Sequence, residues 1–386
     1  MSEARFDRIS NENNTAGPII SGITTFSGQN FFVPPKGTTA QRPSNCPPGS
    51  IRFNTDSAKL EYFDNLQWLE MEAFNVEIGI STNAAGTSGG LGNRGIIGGG
   101  YAPSPIATTS IIDYVTISST GNSISFGNLT SSRRGSSPFS SSTRGIFAGG
   151  YTTGIDYINI SSTGSGTSFG TISQNRAHIA GISNSTRGIL VGGYVLPATG
   201  GTNAIEYVTI ASTGNPVDFG DLSATNYFSG GCGSSTRGLI ASFSAPAFNK
   251  NTIEFITIST LGNAVDFGDL TTVRRLDSNS SLSNAIRAIF GGGYIGPGGS
   301  KNTIDYVTIA SLGNAVDFGD DIASVEYRTG TSSSTRGIFA GGGYVGVETN
   351  IIDYITIMTT GNAIDFGDLF TARFQAGALS NGHGGL

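Results

Sequence analysis

TRGIFAGGY at residues 143–151 and IDYVTIASLGNAVDFGD at residues 304–320 are two parts of one recurring block, and that block decides the fold. GIFAGGY is a short apolar run of the kind that forms a buried strand. IDYVTI alternates and is β-branched, as a strand with one packed face should be. Gly313-Asn314 follows it, and Gly and Asn tolerate the positive φ of a hairpin turn. AVDFGD then supplies another strand. A small, Ser-rich stretch precedes the Arg, such as GSSPFSSS from Gly135, and reads as the first strand. Each block therefore predicts four antiparallel strands, and no 3.6-residue helical period runs through any of them.

The block occurs six times. Its Arg recurs at Arg94, Arg144, Arg187, Arg237, Arg287 and Arg336, and its late Phe at Phe126, Phe169, Phe219, Phe267, Phe318 and Phe366. The spacings of the two series, 43 to 51 residues, drift together, so whole units repeat. Four strands every 40 to 50 residues is the pattern of propeller blades. One such sheet cannot bury both faces alone, whereas blades stacked in a ring cover one another and leave short edges. The expected fold is all-β, a six-bladed β-propeller with four antiparallel strands per blade. The repeated Phe should fill the space between blades. The Gly pair should let backbones approach closely near the ring axis. The repeated Arg should bond strand-end carbonyls. Copy four carries Ser242-Phe243 where the Gly pair belongs, so its blade should be locally irregular. Two segments compete to complete the first blade, residues 82–91 and the C-terminal ARFQAGALSNGHGGL, and the C-terminal one is preferred.

The order of Ser-rich strand, apolar strand ending in Gly-Gly-Tyr, Asp/Glu-Tyr strand and late aromatic resembles kelch repeats over about residues 80–386. Arg176-Ala177-His178 before Gly192-Gly193 adds to the likeness, while Phe in place of the usual late Trp departs from it. Closure by a C-terminal strand is what that resemblance implies.

Three divisions are expected: an extended segment at 1–44, a small β unit at 45–78 and the propeller at 79–386. Residues 1–44 carry Pro18, Pro34, Pro35 and Pro43 and read as extended chain without a core. PGSIRFNTDSAKLEYFDNLQWLEM, residues 48–71, reads as three short strands with turns at Asn54-Thr55-Asp56 and Asp64-Asn65, a unit marginal alone. ARFDRISNENNTAGPIISGITTFSGQNFFVPPKGTTAQRP together with GSIRFNTDSAKLEYFDNLQWLEM resembles the N-terminal parts of virion structural, fibre-type proteins of tailed marine cyanophages. That resemblance implies an N-terminal piece that docks on other virion proteins or builds a homo-oligomer, often a trimer, with the propeller displayed outward.

Composition narrows the function classes. Gly is 58 of 386 residues, about twice the usual share, and charged residues are 12%. A net charge of -6 argues against a nucleic-acid partner. Arg133-Arg134 and Arg274-Arg275 read as solvated turn residues. Cys46 and Cys232 fall in different expected domains, against a structural disulfide and in favour of a reducing site of synthesis. The polar start MSEARFDRISNENN shows no signal peptide, and no apolar stretch suits membrane insertion. The expected location is the virion, after synthesis in the host cytoplasm.

Catalytic chemistry finds little to use. His178 reads as a strand residue near a loop and His383 as part of a frayed terminus; two such residues make no ordinary His-based metal site. The acids flanking the Phe-Gly, such as Asp218 and Asp221, read as solvated. No phosphate loop, zincin motif or nucleophile elbow occurs. No enzyme, metal or cofactor is expected. Binding is assigned to the face carrying the variable loops, since varied loops on a rigid scaffold concentrate binding residues. Its candidates are Tyr101, Tyr194, Tyr227, Phe228, Phe243, Tyr294, Tyr327 and Tyr344, whose rings suit sugars or protein surface. The tyrosines that follow Gly-Gly suit a second role equally, capping the blade cores. The leading expectation is a tail-associated fibre or adhesin protein that touches a host-surface glycan or protein; the alternative is a capsid decoration or vertex protein with a purely structural role.

Overall fold

The strand order of the block is the strand order of the sheets. The computed structural model describes residues 34–57, 59–71, 93–103, 106–197, 200–245, 248–276, 279–296, 299–343 and 347–386. The chain divides into two compact units, Met1–Val76 and Glu77–Leu386. Among the described residues there is no α-helix; a 3-10 turn spans Thr39–Gln41.

In the larger unit, Ser137–Ser140 pairs with Arg144–Ala148, which pairs with Thr152–Asn159, which pairs with Thr167–Ala177, all antiparallel. The same succession starts at Ala180–Ser183, Gly230–Gly233, Ser281–Ser283 and Thr329–Ser332. A short strand, Tyr194–Val195, links two of these sheets into a larger one. The first copy takes its first strand from the far end of the chain: Gly377–Ser380 pairs with Arg94–Gly98. The preferred C-terminal segment thus completes that sheet. Residues 82–91 lie outside the described residues.

The first strands stand side by side in a circuit, for Ser137–Ser140 touches both Ala180–Ser183 and Gly377–Ser380. Their small residues permit this. Ser183 Oγ donates to Ser140 O, Ser140 Oγ to Ser380 O, Ser380 Oγ to Ser332 O, Ser332 Oγ to Ser283 O and Ser283 Oγ to Gly233 O, at 2.5–2.9 Å. The circuit surrounds a narrow cavity of about 50 Å3.

The core lies between neighbouring sheets. Phe126, Leu129, Ile96 and Ile112 of the first sheet pack on Phe147, Ile158 and Ile160 of the next. The last sheet meets the first in the same way, through Ile338, Ile352 and Phe366 against Ile97, Val115 and Ile117. Each fully buried Phe contributes about 2–3 kcal/mol. The repeated Phe reaches this position because each sheet carries a β-bulge there. Asp113 faces Ser125 and Ile112 faces Gly127, leaving Phe126 as the extra residue. A bulge re-aims the side chain it carries.

Polar staples reinforce the same junctions. Arg94, Arg144, Arg187, Arg237 and Arg287 each donate from Nη1 to an Ile carbonyl of the following sheet, and Arg336 donates to Ile117 O of the first, at 2.7–3.1 Å. The expected carbonyl role of these arginines is met, with the acceptor on a neighbouring sheet. Each guanidinium also lies over the Tyr or Phe of its own third strand, 4.2–4.7 Å from the centroid. The Gly-Asn turns work between sheets as well: Asn263 Oδ1 accepts from Asp221 N, and Asn122 Oδ1 from Asp368 N. Copy four pairs Arg237–Ala245 with Phe248–Thr257 in a long hairpin bulged between Ala241 and Phe243, but copy five, which keeps its glycines, is bulged likewise between Gly291 and Gly293, so this feature does not set copy four apart.

In the smaller unit, Ile51–Asn54, Lys59–Phe63 and Trp68–Glu70 form the three expected strands. Lys36–Gly37 adds a parallel fourth from within the segment expected to be merely extended. One face of this sheet buries Arg52, Asn54 and Glu61. Arg42 ion-pairs with Glu61 and holds its carboxyl below the usual range. The other face leaves Ile51, Leu60 and Tyr62 exposed.

Candidate functional site

The connections from fourth to first strand converge at one end of the cavity. Two residues before each first strand the backbone turns left-handed, at Gly135, His178, Phe228, Asn279, Tyr327 and Gln375, with φ of 54–66°. Non-glycine residues rarely adopt this conformation, and here the fold imposes it at equivalent places. Asn279 donates to Ile179 O at 3.1 Å and accepts from Gly181 N at 3.0 Å, bridging to another sheet.

The rings at these positions meet. His178 lies 4.1 Å from Phe228 and 6.2 Å from Tyr327, centroid to centroid, and Phe228 lies 6.0 Å from Tyr327. Tyr227 extends the cluster to Tyr194, and Phe374 extends it to Tyr101. Tyr151 Oη bonds His178 Nε2 at 3.3 Å. Arg275 lies over Phe228, Tyr294 and Tyr327 and pairs with Glu326 at 3.1 Å. Arg134 lies over Tyr101 and Tyr151, 4.9 and 4.7 Å from their centroids.

Six of the sequence candidates, Tyr101, Tyr194, Tyr227, Phe228, Tyr294 and Tyr327, therefore join one half-buried aromatic surface. The Phe243 side chain and Tyr344 lie outside the described residues. Sequence reasoning missed His178, Tyr151, Phe374, Arg134 and Arg275 as members. His178 is not the strand residue expected. Its left-handed backbone and 4% exposure place it in the middle of the cluster. Burial, then the charges of Arg134 and Arg275, push it down to about 3. It is neutral at pH 7.

Arg133 and Arg274 correct another expectation, since both are fully buried. Arg133 pairs with Asp156 at 3.0 Å and Arg274 with Asp305 at 2.8 Å. Arg176 pairs with Glu206, Arg328 with Asp321 and Asp353, and Arg373 with Asp113. Each bridges adjacent sheets through the acid of IDY or IEY. Burial raises the Asp113 and Asp353 carboxyls despite these partners. One junction breaks the rule. Asn226 stands at the Arg position, and Glu254 is held by Ser223. Tyr227 and Phe228 follow Asn226 on the same connection, whereas Ser242 lies on the second strand of the next sheet and donates from Oγ to Arg274 O.

The other end of the cavity is closed by the chain terminus. His383 is held rather than frayed: Nε2 lies 3.1 Å from Ser140 O and 3.2 Å from Ser183 Oγ. Burial pushes it down to about 4. Cys46 and Cys232 are both free, and burial pushes the Cys232 thiol up to about 12. The acids beside the Phe-Gly, including Asp218, Asp221 and Asp266, are exposed. Among the described residues no cluster of three His, Cys, Asp or Glu could hold a metal ion, and no helix is long and apolar enough to cross a membrane. The aromatic surface can stack on rings and, through its arginines, meet anions.

No protein-family model matches the chain, and no curated protein matches it.

Proposed function

We propose that the larger unit is a six-bladed, kelch-like β-propeller displayed by a phage virion protein, and that its variable-loop face binds a host-surface glycan. One observation carries the binding role: the aromatic surface on the connections at one end of the circuit, assembled from several sheets, with His178, Phe228 and Tyr327 brought together from equivalent positions. Tyr and Phe give large contact area at small entropic cost. Support for the propeller comes from the circuit of first strands and the interlocking cores. The virion assignment rests on the N-terminal resemblance. The exposed apolar face of the small sheet, Ile51, Leu60 and Tyr62, supports a docking or oligomerising role for that unit.

The test grafts onto the chain different loops in place of Tyr194–Gly200 and Tyr294–Ser300, and measures binding to host cells and to a glycan array. Loss of binding with an unchanged unfolding midpoint is expected. Undiminished binding overturns the face assignment. Labelled virions should carry the chain on the tail. Decoration of the capsid shell instead, with no glycan binding, would favour a structural role. Much of the ring stacking is internal to the protein, which is the observation on that side.

A further inference from the structure

The loop face holds one arginine unlike its neighbours. At the ends of the fourth strands and on the connections to the first strands, Arg133, Arg176, Arg274, Arg275, Arg328 and Arg373 all pair with carboxylates. Arg134 has no carboxylate or hydrogen-bond partner among the described residues. Its guanidinium is instead held between Tyr101 and Tyr151. Both jaws are fixed. Tyr101 exchanges backbone hydrogen bonds with Phe374 at 2.8 and 3.1 Å, and Tyr151 is tied to His178. Arg134 is half-buried, so solvent reaches the clamp.

A guanidinium stacked on aromatic faces keeps its N–H fork in plane and free to meet a carboxylate in two parallel bonds. Its rotamers are already restricted, so little ordering remains to be done on binding. A sugar carrying a carboxylate fits this clamp better than a neutral one. The anionic group meets Arg134 while the ring lies against the exposed part of Tyr151, which is 38% accessible.

We propose that the Tyr101–Arg134–Tyr151 clamp is a subsite for an acidic saccharide, a uronic-acid residue whose carboxylate is held by Arg134. The assignment rests on the glycan-binding reading of the loop face and narrows its ligand class.

The test is calorimetric titration of the full chain with trigalacturonate, with the neutral galactotriose, and with sodium sulfate. Trigalacturonate should bind at least tenfold tighter than galactotriose. Arg134→Gln should weaken it at least tenfold while changing galactotriose less than twofold and leaving the unfolding midpoint in place. Arg134→Lys keeps the charge without the fork, should recover only part of the loss, and serves if the Gln variant folds poorly. Equal affinity for the neutral sugar, undiminished binding by both variants, or absence of trigalacturonate binding overturns the proposal. Sulfate binding as tight as trigalacturonate also overturns it, because the sugar then contributes nothing. If host-cell binding still depends on the grafted loops while these titrations fail, the subsite falls and the loop-face reading stands.

Discussion

Arg274 and Asp305 are each 0% exposed, and at such a site pairing matters more than charge. Breaking a buried pair leaves an uncompensated ion and costs about 3–5 kcal/mol. Arg274→Met should lose about that much in urea unfolding, and Arg274→Met with Asp305→Leu should regain most of it. A second prediction concerns His178, whose folded pKa lies below its ordinary value. Above pH 6.5 both folded and unfolded chains carry it neutral; as pH falls, the unfolded chain takes up the proton first, and stability drops. At pH 5 this loss is about 2 kcal/mol. Asp353 and Asp113, with raised folded pKa values, act in the opposite sense, so the comparison must be with His178→Asn. The stability advantage of the parent over that variant should shrink by about 2 kcal/mol between pH 7.5 and pH 5. No change would show that His178 is not held neutral. Neither residue's environment was legible beforehand. Arg133-Arg134 looks like one solvated pair, yet the connection turns Arg133 into a buried ion pair and leaves Arg134 half-buried, and the partner acid lies in another repeat. An equivalent Arg four residues after Leu129 and Leu270 was the available signal.

The bulge is the element on which the sheet contacts turn. Gly220 has a φ of 148°, and a Cβ on it would run into Gly262 O of the next turn. Gly262 has a φ of 151° and open space around it. Both would strain as Ala, but only Gly220 would also clash. Gly220→Ala should cost about 1–3 kcal/mol more than Gly262→Ala in thermal or urea unfolding. Equal losses would mean that the sheets do not meet as described. The Phe-Gly and the Gly-Asn turn are plain in the sequence, because each recurs at a fixed place, whereas the bulge between the Phe-Gly strand and the third strand is not. The sequence did not show that the Phe-Gly abuts the turn, since that contact spans about 40 residues. In the small unit, the sheet that buries Arg52, Asn54 and Glu61 and exposes Ile51, Leu60 and Tyr62 makes its own prediction. Ile51→Glu with Leu60→Glu should reduce the oligomer mass measured by light scattering. An unchanged mass would leave that face without an assembling role.

For the whole molecule, repetition made the sheets readable, and the site lies where one repeated backbone position carries different side chains. The strand order, the late Phe between sheets and the use of the C-terminal strand followed from a period and a leftover segment. The aromatic surface followed only partly. Tyr194, Tyr227 and Phe228 were visible as loop aromatics, whereas Tyr151, His178 and Phe374 enter through backbone geometry that a one-dimensional pattern does not carry. The C-terminal strand is what tests closure, because Arg94–Gly98 pairs with Ile111–Thr116 on one side and has a partner on its other side only if Gly377–Ser380 returns to it. The direct measurement is native-state hydrogen exchange at the amides of Arg94–Gly98, in the intact chain and in one ending at Gln375. A closed ring predicts slow, global-unfolding-limited exchange in the intact chain, with lost protection and a lower unfolding midpoint in the shortened one. Equal protection and equal midpoints would contradict it.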